Sequence, residues 1–265
     1  DMKRYAKWAK FALLLTVGWV FVSCGGNKKG NPNWLKEDDV DVAIDETFRP
    51  VMENLVETFG MTKTEATMKP LYVSEDSALR LLTRDSLRCC IVTRKLNANE
   101  LAMVEGHTLG AKQALIATDA IALVVNKANK DSLITVDEVK QIMQGKITKW
   151  EQLKHHSRTG NLGIVFDHSG SSTVRYMRDS LCDGRPLAGP VYASEKGTNL
   201  NVLEMVKNNP NVIGVVGTNW LKGNADSPLA NFDSLDVNVM RVAKTEDDLF
   251  VRPFQYYIAT GDYAL

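Results

Sequence analysis

The feature that most limits how this chain can fold is an alternation repeated along its length. Short apolar runs take turns with stretches whose apolar residues recur at helical spacing. VDVAI (40–44) precedes FRPVMENLVETFG, which ends at Gly60, and LYV (71–73) precedes SEDSALRLLTRD. LRCCIV reads as a buried strand, with NANELAMVE as the helix after it. ALIATDAIALVVN is a long apolar β stretch ahead of the helix TVDEVKQIMQG. LGIVF (162–166) leads into SSTVRYMRDSL, and the helix VLEMVKNNP leads into the strand NVIGVVG. Strand-then-helix order predicts an α/β protein with largely parallel sheets.

The junctions carry a second pattern. Thr47 follows the first strand, Ser74 the second, and Ser171, Ser172 and Thr173 follow LGIVF. A helix N-terminus presents free backbone N–H groups and the positive end of the helix dipole. Hydroxyls placed there add donors, and several such termini meeting at one point would hold an anion without a lysine. Each hydroxyl also has the plainer role of capping its own helix.

The start of the chain differs from the rest. Lys3, Arg4, Lys7 and Lys10 precede FALLLTVGWVFV, an apolar run of signal-peptide length that is short for a membrane span. It ends at Ser23-Cys24, which resembles a bacterial lipobox although Phe21 stands where Leu is usual. The resemblance implies cleavage after residue 23, a lipid on Cys24 and a polar, Gly- and Asn-rich tether over residues 24–37. The expected location is the periplasm or cell surface. The chain has 32 basic and 32 acidic side chains; residues 1–23 hold four basic and one acidic, leaving 28 and 31, about −3. With no basic cluster, nucleic acid is not an expected partner. An anion would have to be held by aimed donors rather than bulk charge. Cys89, Cys90 and Cys182 show no metal spacing, though an oxidising compartment leaves a disulfide to Cys182 open. His155-His156 reads as a solvated loop, and no cofactor is implied.

LITVDEVKQIMQGKITKWEQL (133–153) resembles a signature of the phosphate-binding proteins of the phosphate ABC transporter, in Leu133, Val139, Ile142, Gly145, Ile147 and Trp150. DAIALVVN (119–126) resembles that family's crossover strand. DHSGSSTVRYMRDSL resembles its anion loop, NNPNVIGVVG (208–217) its Ile-Gly strand, and ETFRPV its first loop. The resemblance implies a two-lobed periplasmic-binding-protein fold of the second topological type. Crossovers would fall near 117–124 and 214–220. One lobe would combine 38–119 with 217–265, and the other would hold 120–216. A further helix or two would follow a strand at 251–259. By the same resemblance, Thr47, Phe48, Ser74, Ser171, Ser172 and Thr173 reach a phosphate in the cleft of a monomer that docks on a membrane permease.

Two departures bear on the ligand. Arg94 stands where the family carries an Asp that accepts the ligand's proton, and Asp167 stands where it carries an Arg. A swapped pair meeting the ligand or each other is one reading, with Arg175 as a second cation. The departures keep open a sensor or scavenger for another oxyanion or a phosphorylated small molecule. From a different class, a phosphatase-like hydrolase would need a base beside a nucleophile, and His168, near Ser171, is the residue available.

Overall fold

The computed structural model describes residues 39–62, 67–107, 110–221 and 232–265. The leader, Cys24 and the polar segment to residue 37 lie outside the described residues.

Strand β1 (Asp39–Asp45) is the centre of a three-stranded parallel sheet, between β2 (Thr67–Val73) and β3 (Cys89–Ile91). Side chains alternate across a strand, and β1 uses both faces. Val42 and Ile44 pack with Met52 and Phe48 on the side of α1 (Arg49–Thr62). Ala43 packs with Ala78 and Leu87 on the side of α2 (Glu75–Thr83). Pro70, which has no N–H to give a sheet, lies in β2, an edge strand. Helix α3 (Ala98–His107) follows β3. LRCCIV is less buried than its composition suggests: Cys89 is exposed and Cys90 half-buried, because β3 is the other edge of the sheet. Cys89, Cys90 and Cys182 are free thiols.

The second sheet has five strands in the order β7-β6-β8-β4-β9. They are β4 (Ile121–Asn126), β6 (Gly163–Phe166), β7 (Val191–Ala193), β8 (Val212–Gly217) and β9 (Val237–Val239). β6 runs parallel to β7 and β8, and β4 antiparallel to β8 and β9, so this sheet is mixed rather than largely parallel. The cause is the direction of entry: β4 starts where β8 ends, with Ile121 opposite Gly217 and Thr218 N–H donating to the Ala120 carbonyl at 2.9 Å. These neighbours lie at the two positions expected for crossovers. The apolar stretch before β4 is not strand: Leu115 and Ile116 are exposed, and pairing begins only at Ile121.

Strand β5 (Leu133–Thr135) pairs in parallel with β10 (Arg241–Ala243) and leads into α4 (Val136–Met143). Thr135 Oγ1 accepts from Glu138 N–H, and the Glu138 carboxylate takes Thr135 N–H in return, a complete capping box. Thr135→Ala is expected to lower stability by about 1 kcal/mol, read from urea unfolding. Gly145, at φ +73, lets the chain leave this helix against the Ala188 carbonyl. Helix α5 (Ser172–Tyr176) continues as a π turn through Leu181, and α6 (Asn199–Asn208) packs on β8.

The largest core gathers Leu123, Ile142, Trp150, Ile164, Ile213 and Val242. Tyr263 and Leu265 also belong to it, so the end of the sequence packs beside the 120–216 elements, whereas the expected division groups it with 38–119. The expected strand at 251–259 is a single bridge from Val251 to Val242, followed by helix α7 (Gln255–Thr260).

Candidate functional site

The carboxyl ends of β1, β2 and β6 face one another, where open α/β sheets place their ligands. β1 ends in Asp45, and a 3-10 turn, Glu46–Phe48, follows. β6 ends beside Asp167, and its turn delivers Ser171, Ser172 and Thr173. Thr47 Oγ1 and Ser172 Oγ lie 3.3 Å apart, joining segments 125 residues distant in sequence. The expected meeting of these two loops is therefore present. Phe48 packs in the apolar cluster under β1.

Other hydroxyls are engaged locally. Ser74 caps α2, accepting from Ser77 N–H and donating to the Ser77 hydroxyl at 2.9 Å. Ser171 caps α5 and lies 2.8 Å from Thr173 Oγ1, which donates to Asp167 Oδ1 at 2.7 Å. Arg94 and Asp167 do not meet. Arg94 is held in a two-pronged bond by Glu100, both contacts at 2.7 Å, on its own side of the structure. Asp167 is tied instead to Thr173 and, at 3.3 Å, to Asn199 Nδ2.

Sequence reasoning missed a ring of acids and amides around this point. Asn199 Nδ2 also donates to Glu46 Oε2 at 2.9 Å, while its Oδ1 accepts from Gly217 N–H at 3.2 Å. Asn219 Nδ2 and Trp220 Nε1 both donate to the Thr47 carbonyl. Asp45 is fully buried; Thr47 N–H donates to its Oδ1 at 3.1 Å, and its Oδ2 has no hydrogen-bond partner among the described residues. Burial pushes the Asp45 carboxyl up to about 7 against the opposing pull of the Ser172 hydroxyl and the Thr47 N–H, with the charges of Glu75 and Asp167 adding to the rise. Burial also raises Glu46, against Asn199, and Asp167, against the hydroxyls of Ser171 and Thr173. The signal for these acids was present in DETF and SED, where they flank the hydroxyls already singled out.

Outside this acid ring the charge reverses. A cleft of about 380 Å³ is lined by Arg94, Lys95 and Asn97 on one side and by Ser169, Gly170, Ser171, Arg175 and Arg178 on the other. Asp76 and Asp179 also face it, so four cationic side chains stand against two carboxylates. The walls approach closely at Gly170: its carbonyl accepts from Asp76 N–H at 3.4 Å, and a Cβ there would come 2.9 Å from Asp76 Oδ2. Arg175 crosses to Glu75, with Nε 2.5 Å from Oε2. His168 Nδ1 accepts from Gly170 N–H at 3.0 Å while Ser171 Oγ lies against Thr173, so the hydrogen-bonded base and nucleophile that a hydrolase needs are not formed by this pair. Among the described residues, no group of three or more His, Cys, Asp or Glu side chains is placed to hold a metal.

Residues 34–265 match the model of the PBP superfamily domain. The chain belongs to the PBP superfamily. A phosphate-binding protein PstS 2 of Streptococcus agalactiae is 28% identical over 127 residues, 48% of this chain and 41% of that protein. PstS 2 of Streptococcus pneumoniae is 29% identical over 104 residues, 39% and 33% of the two chains. Each match thus spans less than half of the curated relative. The fold of this PBP-superfamily chain is that of a substrate-binding protein from Clostridium perfringens solved with bound phosphate, at TM-score 0.68 and 21% identity over 86% of this chain and 83% of that one. An ABC-type phosphate transport receptor from Vibrio cholerae shares the fold at TM-score 0.57 and 18% identity, over 84% and 82%.

Proposed function

We propose that this chain captures a small oxyanion, phosphate first, in the cleft between its two sheets and presents it outside the cytoplasm to an ABC permease. The lipid on Cys24 belongs to the same proposal. The observation that carries it is the juxtaposition of the Thr47 and Ser172 hydroxyls, 3.3 Å apart, beside a cleft lined by Arg94, Lys95, Arg175 and Arg178. Guanidinium forks and hydroxyls suit a tetrahedral anion, which bridges two walls and so favours the closed arrangement. The PstS 2 relatives support phosphate as that anion. The ligand sits toward the cationic cleft, because Asp45 and Asp167 crowd the interior with carboxyls that a dianion would meet unscreened.

The two carboxylates of the cleft itself favour a second reading, a phosphorylated small molecule whose hydroxyls donate to Asp76 or Asp179. Isothermal titration with phosphate, sulfate and glycerol 3-phosphate separates the two. Phosphate binding that Arg178→Gln weakens roughly 10- to 100-fold is the expected result. Glycerol 3-phosphate binding without phosphate binding selects the second reading, and silence toward all three sinks both.

A further inference from the structure

We infer that Glu75 is a tethered substitute for the oxyanion: its carboxylate closes the cleft by occupying the donors a free ligand would use. Glu75 opens α2 and its side chain is 1% exposed. Oε1 accepts from Thr93 N–H at 3.0 Å and from the Thr93 hydroxyl at 2.5 Å. Oε2 accepts from Arg175 Nε at 2.5 Å, and Arg175 Nη2 reaches back to Thr93 Oγ1. A backbone N–H at a strand end, a threonine hydroxyl and a guanidinium form the donor set expected around a bound anion. Glu75 and Thr93 come from the three-stranded side, and Arg175 from the five-stranded side, 100 residues away from Glu75 in sequence. The carboxylate thus bridges the walls as a ligand does.

Other contacts also join the two walls. Thr47 meets Ser172, Asn199 meets Glu46, and Asp76 N–H meets the Gly170 carbonyl. Two consequences follow. The chain's own Glu75 carboxylate supplies the bridge that a ligand would supply, so on this inference closure by itself does not report an occupied cleft. A free anion must also displace a carboxylate held at high local concentration by its own chain. When the Glu75-engaged state outnumbers the open one about 10:1, apparent affinity falls about 10-fold, because only the open fraction binds. The ligand able to displace Glu75 offers Arg175 and Thr93 more acceptor oxygens than a carboxylate does. A phosphate dianion meets that condition and a simple monocarboxylate does not. The affinity arm of the test rests on the capture reading above; the closure arm does not.

The experiment compares wild type with Glu75→Gln, which keeps the side-chain size and removes the charge, after circular dichroism has verified the fold. Small-angle X-ray scattering without ligand reads closure, and titration with inorganic phosphate and acetate reads affinity. The ligand-free wild type is expected to scatter as a closed particle. Glu75→Gln is expected to be larger without ligand, to contract on adding phosphate, and to bind phosphate about 10-fold more tightly than wild type. Arg175→Gln breaks the same bridge from the other wall, so it should also open, but with weaker phosphate binding. Equal ligand-free size in wild type and both variants overturns the inference even if phosphate binds. Weaker phosphate binding in Glu75→Gln also overturns it, making Glu75 a positioning residue for Arg175. Opening of both variants with no phosphate binding by any of the proteins keeps the tether and removes phosphate as the ligand.

Discussion

Asp45→Asn is expected to make the protein about 2–4 kcal/mol more stable at pH 8 while leaving it nearly unchanged at pH 4. Asp45 is fully buried, and burial lifts its carboxyl from an ordinary 3.8 to about 7. Between those values the folded state keeps the proton that the unfolded chain has lost. Stability must then fall as pH rises through that window, since the native state binds more protons there. About three pH units at about 1.4 kcal/mol each set the upper end of the range. Below the window both states are protonated, and above it neither is, so the wild type levels off at a lower stability. Asn has the shape of the neutral acid and does not ionise, so the variant escapes that loss. Urea unfolding at successive pH values gives the difference curve directly. A difference that does not grow between pH 4 and pH 8 would show that Asp45 is not held neutral by its surroundings. The same residue accepts from Thr47 N–H, next to the Thr47–Ser172 contact that joins the two walls.

The elements were legible from sequence where a pattern was local. Alternation in VDVAI and helical spacing in FRPVMENLVETFG correspond to β1 and α1, although α1 runs through Gly60 to Thr62. Composition misled where burial depends on neighbours. LRCCIV and ALIATDAIALVVN look equally apolar, yet β3 has a neighbour on one side only, and pairing in the second segment waits for β8 at Ile121. The hydroxyl loops were legible because Thr47 and Ser171–Thr173 lie at strand-to-helix junctions, and such junctions converge in open sheets. The acid ring was not legible, for a physical reason. Asp45, Glu46 and Glu75 read as ordinary charged residues at helix starts, where acids are favoured by the helix dipole. Their burial is set by Asn199, Ser172 and Arg175, which arrive from more than 90 residues away. Arg94 and Asp167 do not meet each other for a more local reason. Charge at two positions says nothing of Glu100, which lies six residues from Arg94 and takes both prongs of its guanidinium.

Trp150→Ala is expected to lower stability by about 3–5 kcal/mol, the usual cost of removing a large aromatic from a packed interior. Trp150 is fully buried in the largest core, with Ile142, Ile147 and Leu162 in the same cluster. Trp150, Ile142 and Ile147 belong to the stretch that carried the family resemblance most strongly, and none of them lines the cleft. The motif is therefore specific because it packs one way, with Gly145 turning the chain and Trp150 filling the space beyond. A ligand role for Trp150 would make different predictions from a packing role. If it packs, Trp150→Ala weakens the fold and leaves the anion affinity of the folded protein unchanged. Trp150→Phe sharpens the comparison. The indole Nε1 is buried without a hydrogen-bond partner among the described residues, so Phe removes an unsatisfied donor along with some volume. Its cost should be about 1.5 kcal/mol or less. Chemical unfolding of both variants, with phosphate titration of each below its transition, tests the assignment. Loss of phosphate binding in a fully folded Trp150→Phe protein would move the motif from the core to the site.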